Sequence, residues 1–198
     1  FTVDNLKVTL GDNQYTIHGD NDLENRDSFN YTFPSTSNEH IITFETKVKE
    51  AYLLQSNNLN KELSFKNDSG ITSNGFTGNP KVSATATMQN NIVKKSGVRE
   101  GLDYVKWSIP INHNLLNIEN MTITDELQEG LSLDLDSVKL YKANIDGNGL
   151  FTKGNEINLT DNSDYFFSYN KDTRIFTFTF NSHTNEAYQL EFLTDVLV

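Results

Sequence analysis

Apolar and polar residues alternate with a period of two along most of this sequence, and this pattern restricts the fold more than any other feature. Between 105 and 111 the odd positions are Val, Trp, Ile and Ile, and between 176 and 180 every even position is Phe. Such alternation is typical of β-strands with one buried face, and clusters of Asn, Asp and Gly separate the strands as turns do. We therefore predict an all-β fold of β-sandwich modules, with Trp107 buried. The best helix candidate, 48–55, is short and lacks capping residues.

A pattern of residues occurs twice in the chain. Segment 1–8 aligns with 133–140, segment 29–33 with 176–180, and segment 40–48 with 188–196. A separation this long indicates two copies of one module, because a solenoid has a much shorter period. The copies begin at different points of the module. We therefore predict that residues 1–75 are the back half of a first module and that residues 92–198 form a second module lacking its last strand. Residues 76–91 are predicted to be the segment that connects the two modules. The chain begins in mid-pattern, so we expect a fragment of something larger.

Composition argues against several classes of function. The 16 basic and 27 acidic residues give a net charge of −11, which predicts no nucleic-acid partner. No apolar run is long enough to span a bilayer, so we expect no membrane insertion. Cysteine is absent, and the four histidines are scattered without metal-ligand spacing. No catalytic triad or phosphate loop is recognisable, so we predict a protein that is not an enzyme and uses no metal or cofactor.

Two ionisable residues fall on faces that the alternation predicts to be buried. Asp125 shares its face with Met121 and Ile123, and Lys95 shares its face with Val93. Burial of a charge is costly unless the charge is paired or neutralised, so two opposite groups on neighbouring strands indicate a site. The pattern also fits a lysine whose ammonium reaches solvent and an aspartate that begins a turn.

Five segments of the second module occur in a characteristic order. They are 95–97 (KSG), 105–112 (VKWSIPIN), 121–130 (MTITDELQEG), 131–138 (LSLDLDSV) and 188–194 (YQLEFLT). In order and spacing they resemble the collagen-binding adhesin domains of Gram-positive cell-wall-anchored surface proteins. The resemblance covers roughly residues 92–196 and, through the repeat, 1–72. It implies an immunoglobulin-like sandwich with extra strands, in tandem modules.

The resemblance also implies a self-made isopeptide bond. Many members join a lysine of the first strand to an asparagine of the last strand, and an aspartate on a middle strand promotes the reaction. Carried over by position, Lys95 is the nucleophile and Asp125 the promoter, with Lys94 as the fallback nucleophile. Burial disfavours both charged forms, so a neutral amine can attack the amide while a protonated carboxyl polarises its carbonyl.

The acceptor asparagine is expected at Asn67, in the first module. Asn67 shares its face with Leu63 and Phe65, which predicts an inward amide. The equivalent position of the second module falls beyond Val198, and the first module's lysine and aspartate would precede Phe1. Neither bond can then form within its own module in this chain. Either the two halves complement each other, between molecules or by folding back, or the edges stay open.

Two weaker patterns offer other ligands. Residues 144–149 resemble the start of a calcium loop, but the closing acidic residue is missing and a Gly/Asn hairpin is the better interpretation. Tyr165 and Tyr169 share one face with an intervening Phe, which is a possible ligand-binding platform, although core packing is the more frequent reason for such a pattern.

The resemblance implies an extracellular, cell-wall-attached bacterial adhesin. Its modules would bind a host extracellular-matrix protein such as collagen or fibrinogen, or would act as a stalk without a ligand. The alternative is a carbohydrate-binding accessory module of a secreted hydrolase, which would need exposed aromatic residues in line.

Overall fold

The computed structural model describes residues 2–10, 13–16, 40–75, 77–160 and 163–196. By its internal contacts the chain divides into two units, Phe1–Gln55 and Ser56–Val198. The described elements of the first unit are β1 (Thr2–Leu10), β2 (Asn13–Thr16), β3 (His40–Lys47) and the single helical turn α1 (Glu50–Leu53). Those of the second unit are β4 (Lys61–Gly70), β5 (Lys81–Asn90), β6 (Ser96–Glu100), β7 (Tyr104–Ile111), β8 (Thr122–Glu126), β9 (Leu131–Ile145), β10 (Phe151–Ile157), β11 (Tyr165–Asn170), β12 (Ile175–Phe180) and β13 (Ala187–Val196).

Two sheets of the second unit enclose its main core. The five-stranded sheet has the order β10-β9-β13-β7-β6, and the three-stranded sheet has the order β11-β12-β8. Every second residue of β12 is buried, which places Phe176, Phe178 and Phe180 between the sheets. They pack in one cluster with Leu140 and Leu190 of the five-stranded sheet. The predicted all-β fold is confirmed.

The repeat found in the sequence is visible in the strand pairing of both units. Val8 pairs with Ile42 in the first unit, and the aligned residues Leu140 and Leu190 pair in the second. In both sheets the register shifts within a few residues of this pair. The strand order β2-β1-β3 also corresponds to β10-β9-β13. The two units therefore share one arrangement of three strands; the aligned segment 29–33 lies outside the described residues.

Residues 61–90 form a hairpin in which β4 and β5 pair along their whole length. Asparagine side chains hold its base to the sandwich. The Asn60 Oδ1 accepts hydrogen bonds from the backbone N–H groups of Ile92 and Val93, each 2.9 Å long. Within the base itself, the Asn90 Nδ2 donates to the carbonyl oxygen of Asn58. The predicted connecting segment 76–91 thus contains a complete strand; the module boundaries themselves stay predictions.

Trp107 is half-buried at the margin of the core, so the predicted burial is only partly met. In the sheet, β7 lies between β13 and the edge strand β6, and Trp107 pairs with Gly97 of β6. Because glycine has no side chain, β6 cannot cover the indole completely.

Candidate functional site

Lys95 and Asp125 form an ion pair in the second unit. The Lys95 Nζ donates a hydrogen bond of 2.7 Å to the Asp125 Oδ1 and lies 2.5 Å from the Oδ2. The Asp125 side chain is 8% exposed and that of Lys95 is 34% exposed. The contact with Oδ2 lacks hydrogen-bond geometry, so within the described part of the chain this buried oxygen accepts no hydrogen bond. The pair predicted from the alternation is therefore in contact.

The local structure explains why both side chains reach the same point. In β8 the buried residues alternate with exposed ones, so Asp125 faces inward together with Ile123. Lys95 lies between the bridge that joins Val93 to Ile111 and the first residue of β6. The carboxylate thus comes from the three-stranded sheet and the ammonium from the edge of the five-stranded sheet.

An open groove of about 390 Å³ runs beside the ion pair. Its walls are mostly apolar and include Ile92, Val93, Ile109, Met121 and Ile123. Among the described residues β8 pairs only with β12, so the edge of β8 that faces away from β12 has no strand beside it. Backbone groups along such an edge can pair with one more strand. The groove therefore offers an unpaired strand edge and an apolar lining, both of which an added β-strand needs.

Asn67 does not join this site. It lies in β4 opposite Ala84 and is exposed, so the predicted inward orientation is wrong in this structure. Leu63, at the base of the hairpin, is buried, but the face that it shares with Asn67 opens to solvent further along β4. No hydrogen bond links Asn67 to Lys95 or Asp125 in the described residues. Lys94, the fallback nucleophile, is exposed.

Tyr165 and Tyr169 face the sandwich core and do not form an exposed platform. Both are half-buried and pack against the core cluster. The Tyr165 ring meets Phe180 edge-on at 5.4 Å and Tyr188 at 6.2 Å between centroids. Burial, with a hydrogen bond to Tyr188, raises the pKa of Tyr165 well above the usual tyrosine value. Core packing, the interpretation that the sequence favoured, accounts for these residues.

Of residues 144–149, the first two end β9, and the others belong to the turn that leads into β10. The Asp146 Oδ1 accepts hydrogen bonds from the backbone N–H groups of Asn148 and Leu150. This carboxylate oxygen closes the turn, as aspartate commonly does in hairpin loops. In the described ranges no group of three His, Cys, Asp or Glu side chains is arranged to hold a metal ion.

A buried carboxylate on the outer face of the five-stranded sheet was not expected from the sequence. The Glu191 side chain is 8% exposed and lies 3.2 Å from the Lys106 Nζ and 3.1 Å from the Lys153 Nζ. The Lys153 ammonium also lies 4.3 Å from the centroid of the Tyr141 ring. Alternation along β13 places Glu191 away from the core. Its carboxylate is buried under lysine side chains from the adjacent strand β7 and from β10, which lies beyond β9 in the sheet.

The pKa of Glu191 predicts an acid-sensitive contribution to stability. Burial opposes its ionisation, but hydrogen bonds from Lys153 and Lys106 outweigh burial and hold its pKa below the ordinary value. A lowered carboxyl pKa stabilises the fold at neutral pH, and this stabilisation disappears as the pH falls through about 4 and below. Glu191→Gln should cost about 1 kcal/mol at pH 7 in urea unfolding, and the difference should vanish in acid.

Glu156→Gln is the matched control for the pH dependence of the stability change in Glu191→Gln. Glu156 pairs with Lys139, but both side chains are about half exposed, so water screens the pair. We expect no measurable change in the free energy of unfolding at either pH. A Glu191→Gln difference that persists unchanged in acid would contradict the assigned role of the carboxylate.

The family model described as a collagen binding domain matches residues 90–197, more than half of the chain. The chain belongs to the collagen-binding domain family. The match spans the whole sandwich together with Lys95, Asp125 and Glu191. Members of this family are adhesin binding domains and not enzymes, and membership supports a matrix protein such as collagen as the partner.

Among solved structures, this chain is similar to a collagen-binding domain from a Staphylococcus aureus adhesin. The two are 18% identical with a TM-score of 0.40, and the match covers 54% of this chain and 75% of the other. A likeness this distant transfers no residue role. No curated protein matches the chain significantly. Within the described ranges, no helix is both long and apolar enough to cross a membrane.

Proposed function

We propose that this chain is a module pair of a bacterial surface adhesin, attached to the cell wall, which binds collagen or another host matrix protein such as fibrinogen. Family membership over residues 90–197 supports the binding role. We further propose that the second module closes its sandwich by an autocatalytic isopeptide bond between Lys95 and an asparagine of a last strand. The observation that carries this second part is the contact between Lys95 and Asp125 at the edge of the apolar groove.

The geometry suits proton transfer within the pair before any attack. The Lys95 Nζ lies 2.5–2.7 Å from both carboxylate oxygens, so a proton can pass directly from the ammonium to the carboxylate. The transfer would leave a neutral amine beside a neutral acid, the form in which the amine can act as a nucleophile. The amine lone pair becomes available, and the carboxyl gains a proton that it can donate.

The bond would form by amide exchange. The neutral Lys95 Nζ attacks the side-chain carbonyl carbon of the acceptor asparagine, while the Asp125 O–H donates a hydrogen bond to the carbonyl oxygen. The new C–N bond replaces the original one. The nitrogen of the side-chain amide leaves as ammonia, carrying the proton that the attacking amine loses. Asp125 relays this proton, and the proton that it first took from the Lys95 ammonium passes to the departing ammonia, which restores the carboxylate. The reaction runs once per molecule because it consumes Lys95 and the acceptor asparagine.

The acceptor strand would lie in the groove beside β8. There its backbone would pair with the free edge of β8, and its apolar residues would pack against Ile109 and Ile123. An amide at the level of Asp125 would meet both the Lys95 amino group and the Asp125 Oδ2, which accepts no hydrogen bond among the described residues. The repeat predicts such a strand after Val198, at the position corresponding to Asn67 of the first module.

For matrix binding we propose the outer face of the five-stranded sheet. Tyr141 is a rigid aromatic side chain on this face. It is flanked by Lys153 and by Glu191, whose carboxylate is paired with Lys106 and Lys153. Aromatic side chains combined with cationic groups are enriched where interfaces bind tightly. A sheet face is also long enough to accept an extended, rod-shaped ligand such as a collagen triple helix.

Solid-phase binding to collagen, fibrinogen and fibronectin tests this proposal. We expect binding to at least one of them, weakened about tenfold or more by Tyr141→Ala, as for an interface hot spot. Phe166→Ala is the matched control, because Phe166 is 58% exposed on β11, in the other sheet of the sandwich. Equal losses in both variants would contradict the assigned surface. No binding to any of the three proteins would favour a stalk.

A further inference from the structure

The indole of Trp107 forms a platform under the reactive end of Lys95. The Lys95 Nζ lies 4.1 Å from the centroid of the Trp107 ring, and the Phe192 ring is 5.9 Å away. At this distance the face of an indole attracts an ammonium group. Lys95 is therefore held from two sides, by the Asp125 carboxylate and by the Trp107 ring.

Two further residues fix the orientation of the indole. The Trp107 Nε1 donates a 3.0 Å hydrogen bond to the Oγ1 of Thr194, which is fully buried in β13. Gly97 lies directly against the ring, and a Cβ at this position would come within 2.6 Å of the Trp107 Cζ3. Such an approach is impossible without displacement of the indole. Gly97 thus makes the room that the ring needs, and Thr194 sets its rotation.

We propose that Trp107 is the positioning residue for Lys95, and that Gly97 and Thr194 act by holding Trp107. Residues of β6, β7 and β13 then together keep the flexible Lys95 side chain directed at Asp125. The ring also covers part of the lysine side chain and so limits reaction with other electrophiles in solvent. The consequence for bond formation rests on the proposed isopeptide chemistry, whereas the effect on the position of Lys95 does not.

Acylation of the lysines with a small amine-reactive reagent tests the position of Lys95 in the chain as it is. Peptide mass spectrometry gives the acylation of Lys95 relative to Lys171, which is exposed in the turn after β11. Loss of the aromatic face in Trp107→Leu, or its displacement in Gly97→Ala, should raise this ratio about twofold to fivefold. Trp107→Phe retains an aromatic face and should stay near the wild-type ratio.

Gly147→Ala is the matched control, because a Cβ there meets no atom within 4 Å. It should leave the ratio unchanged, and urea unfolding shows whether each variant is folded under the labelling conditions. If Trp107→Leu and Gly97→Ala are both folded and leave the ratio unchanged, the positioning role is wrong. A rise in Trp107→Phe as large as that in Trp107→Leu would also overturn it.

A second measurement separates this inference from the isopeptide proposal. In a polypeptide extended beyond Val198 through the predicted last strand, the loss of ammonia can be followed by intact mass. Trp107→Leu should slow that loss roughly tenfold to a hundredfold, since a misplaced nucleophile reacts slowly. No loss in the wild type, with the acylation ratio still sensitive to Trp107, would reject the isopeptide bond alone. Equal rates in wild type and Trp107→Leu would reject the positioning role alone.

Discussion

Phe178→Ala is expected to lower the free energy of unfolding by about 3–5 kcal/mol, the usual cost of removing a fully buried phenylalanine. Phe178 is completely buried in β12. Its ring stacks nearly parallel to that of Phe167 at 6.3 Å and meets Phe180 at 5.4 Å. Alanine would leave a cavity between the two sheets that these rings cannot fill. Urea unfolding followed by circular dichroism measures the change, which is a large fraction of a typical domain's stability.

Phe166→Ala gives the control within the same pair of strands. Phe166 is the neighbour of Phe167 in β11 but points outward and is 58% exposed, so its removal should cost no more than about 0.5 kcal/mol. Comparable losses in the two variants would mean that β11 and β12 do not bury alternate residues as described. The sandwich would then lack the core on which the site is built.

Lys95→Met is the second large effect that we expect. It removes the cation but keeps an apolar side chain of similar length, so the Asp125 carboxylate is left buried without its ion-pair partner. An unpaired buried charge is costly, but the Lys95 side chain is 34% exposed and water can partly solvate the site. We therefore expect a loss of about 1–3 kcal/mol in urea unfolding at neutral pH.

Asp125→Asn in the Lys95→Met background should restore most of this stability. The double variant carries no charge at the site, and its amide needs only ordinary hydrogen bonds. The change in the free energy of unfolding of the double variant should therefore differ clearly from the sum of the changes in the two single variants, which is the sign of direct coupling. If the effects simply add, Lys95 and Asp125 do not interact in solution as they do in this structure.

The sequence predicted features that depend on local alternation. The phenylalanines of β12 and the inward orientation of Asp125 both follow from a period of two, because each strand has one face toward the core. The repeat added long-range information, since the pairing of Val8 with Ile42 matches that of Leu140 with Leu190.

Features that depend on neighbouring strands could not be predicted in this way. Glu191 lies on the outward face of β13 and is buried only because lysines from β7 and β10 extend over it. Trp107 is half-buried because Gly97 is its partner in the edge strand β6. Asn67 has the correct phase for an inward amide, but the hairpin of β4 and β5 exposes that face there. Alternation predicts on which face of a strand a residue lies, and tertiary packing determines whether that face is buried.

We propose that Lys95 and Asp125 are the lysine and the promoter of an isopeptide bond. The most direct test is the intact mass of a polypeptide extended beyond Val198 through the predicted last strand, purified under denaturing conditions after folding. We expect a mass lower than that of the sequence by one ammonia, and the full sequence mass in both Lys95→Ala and Asp125→Ala. A folded wild-type protein that retains its full mass would contradict this proposal.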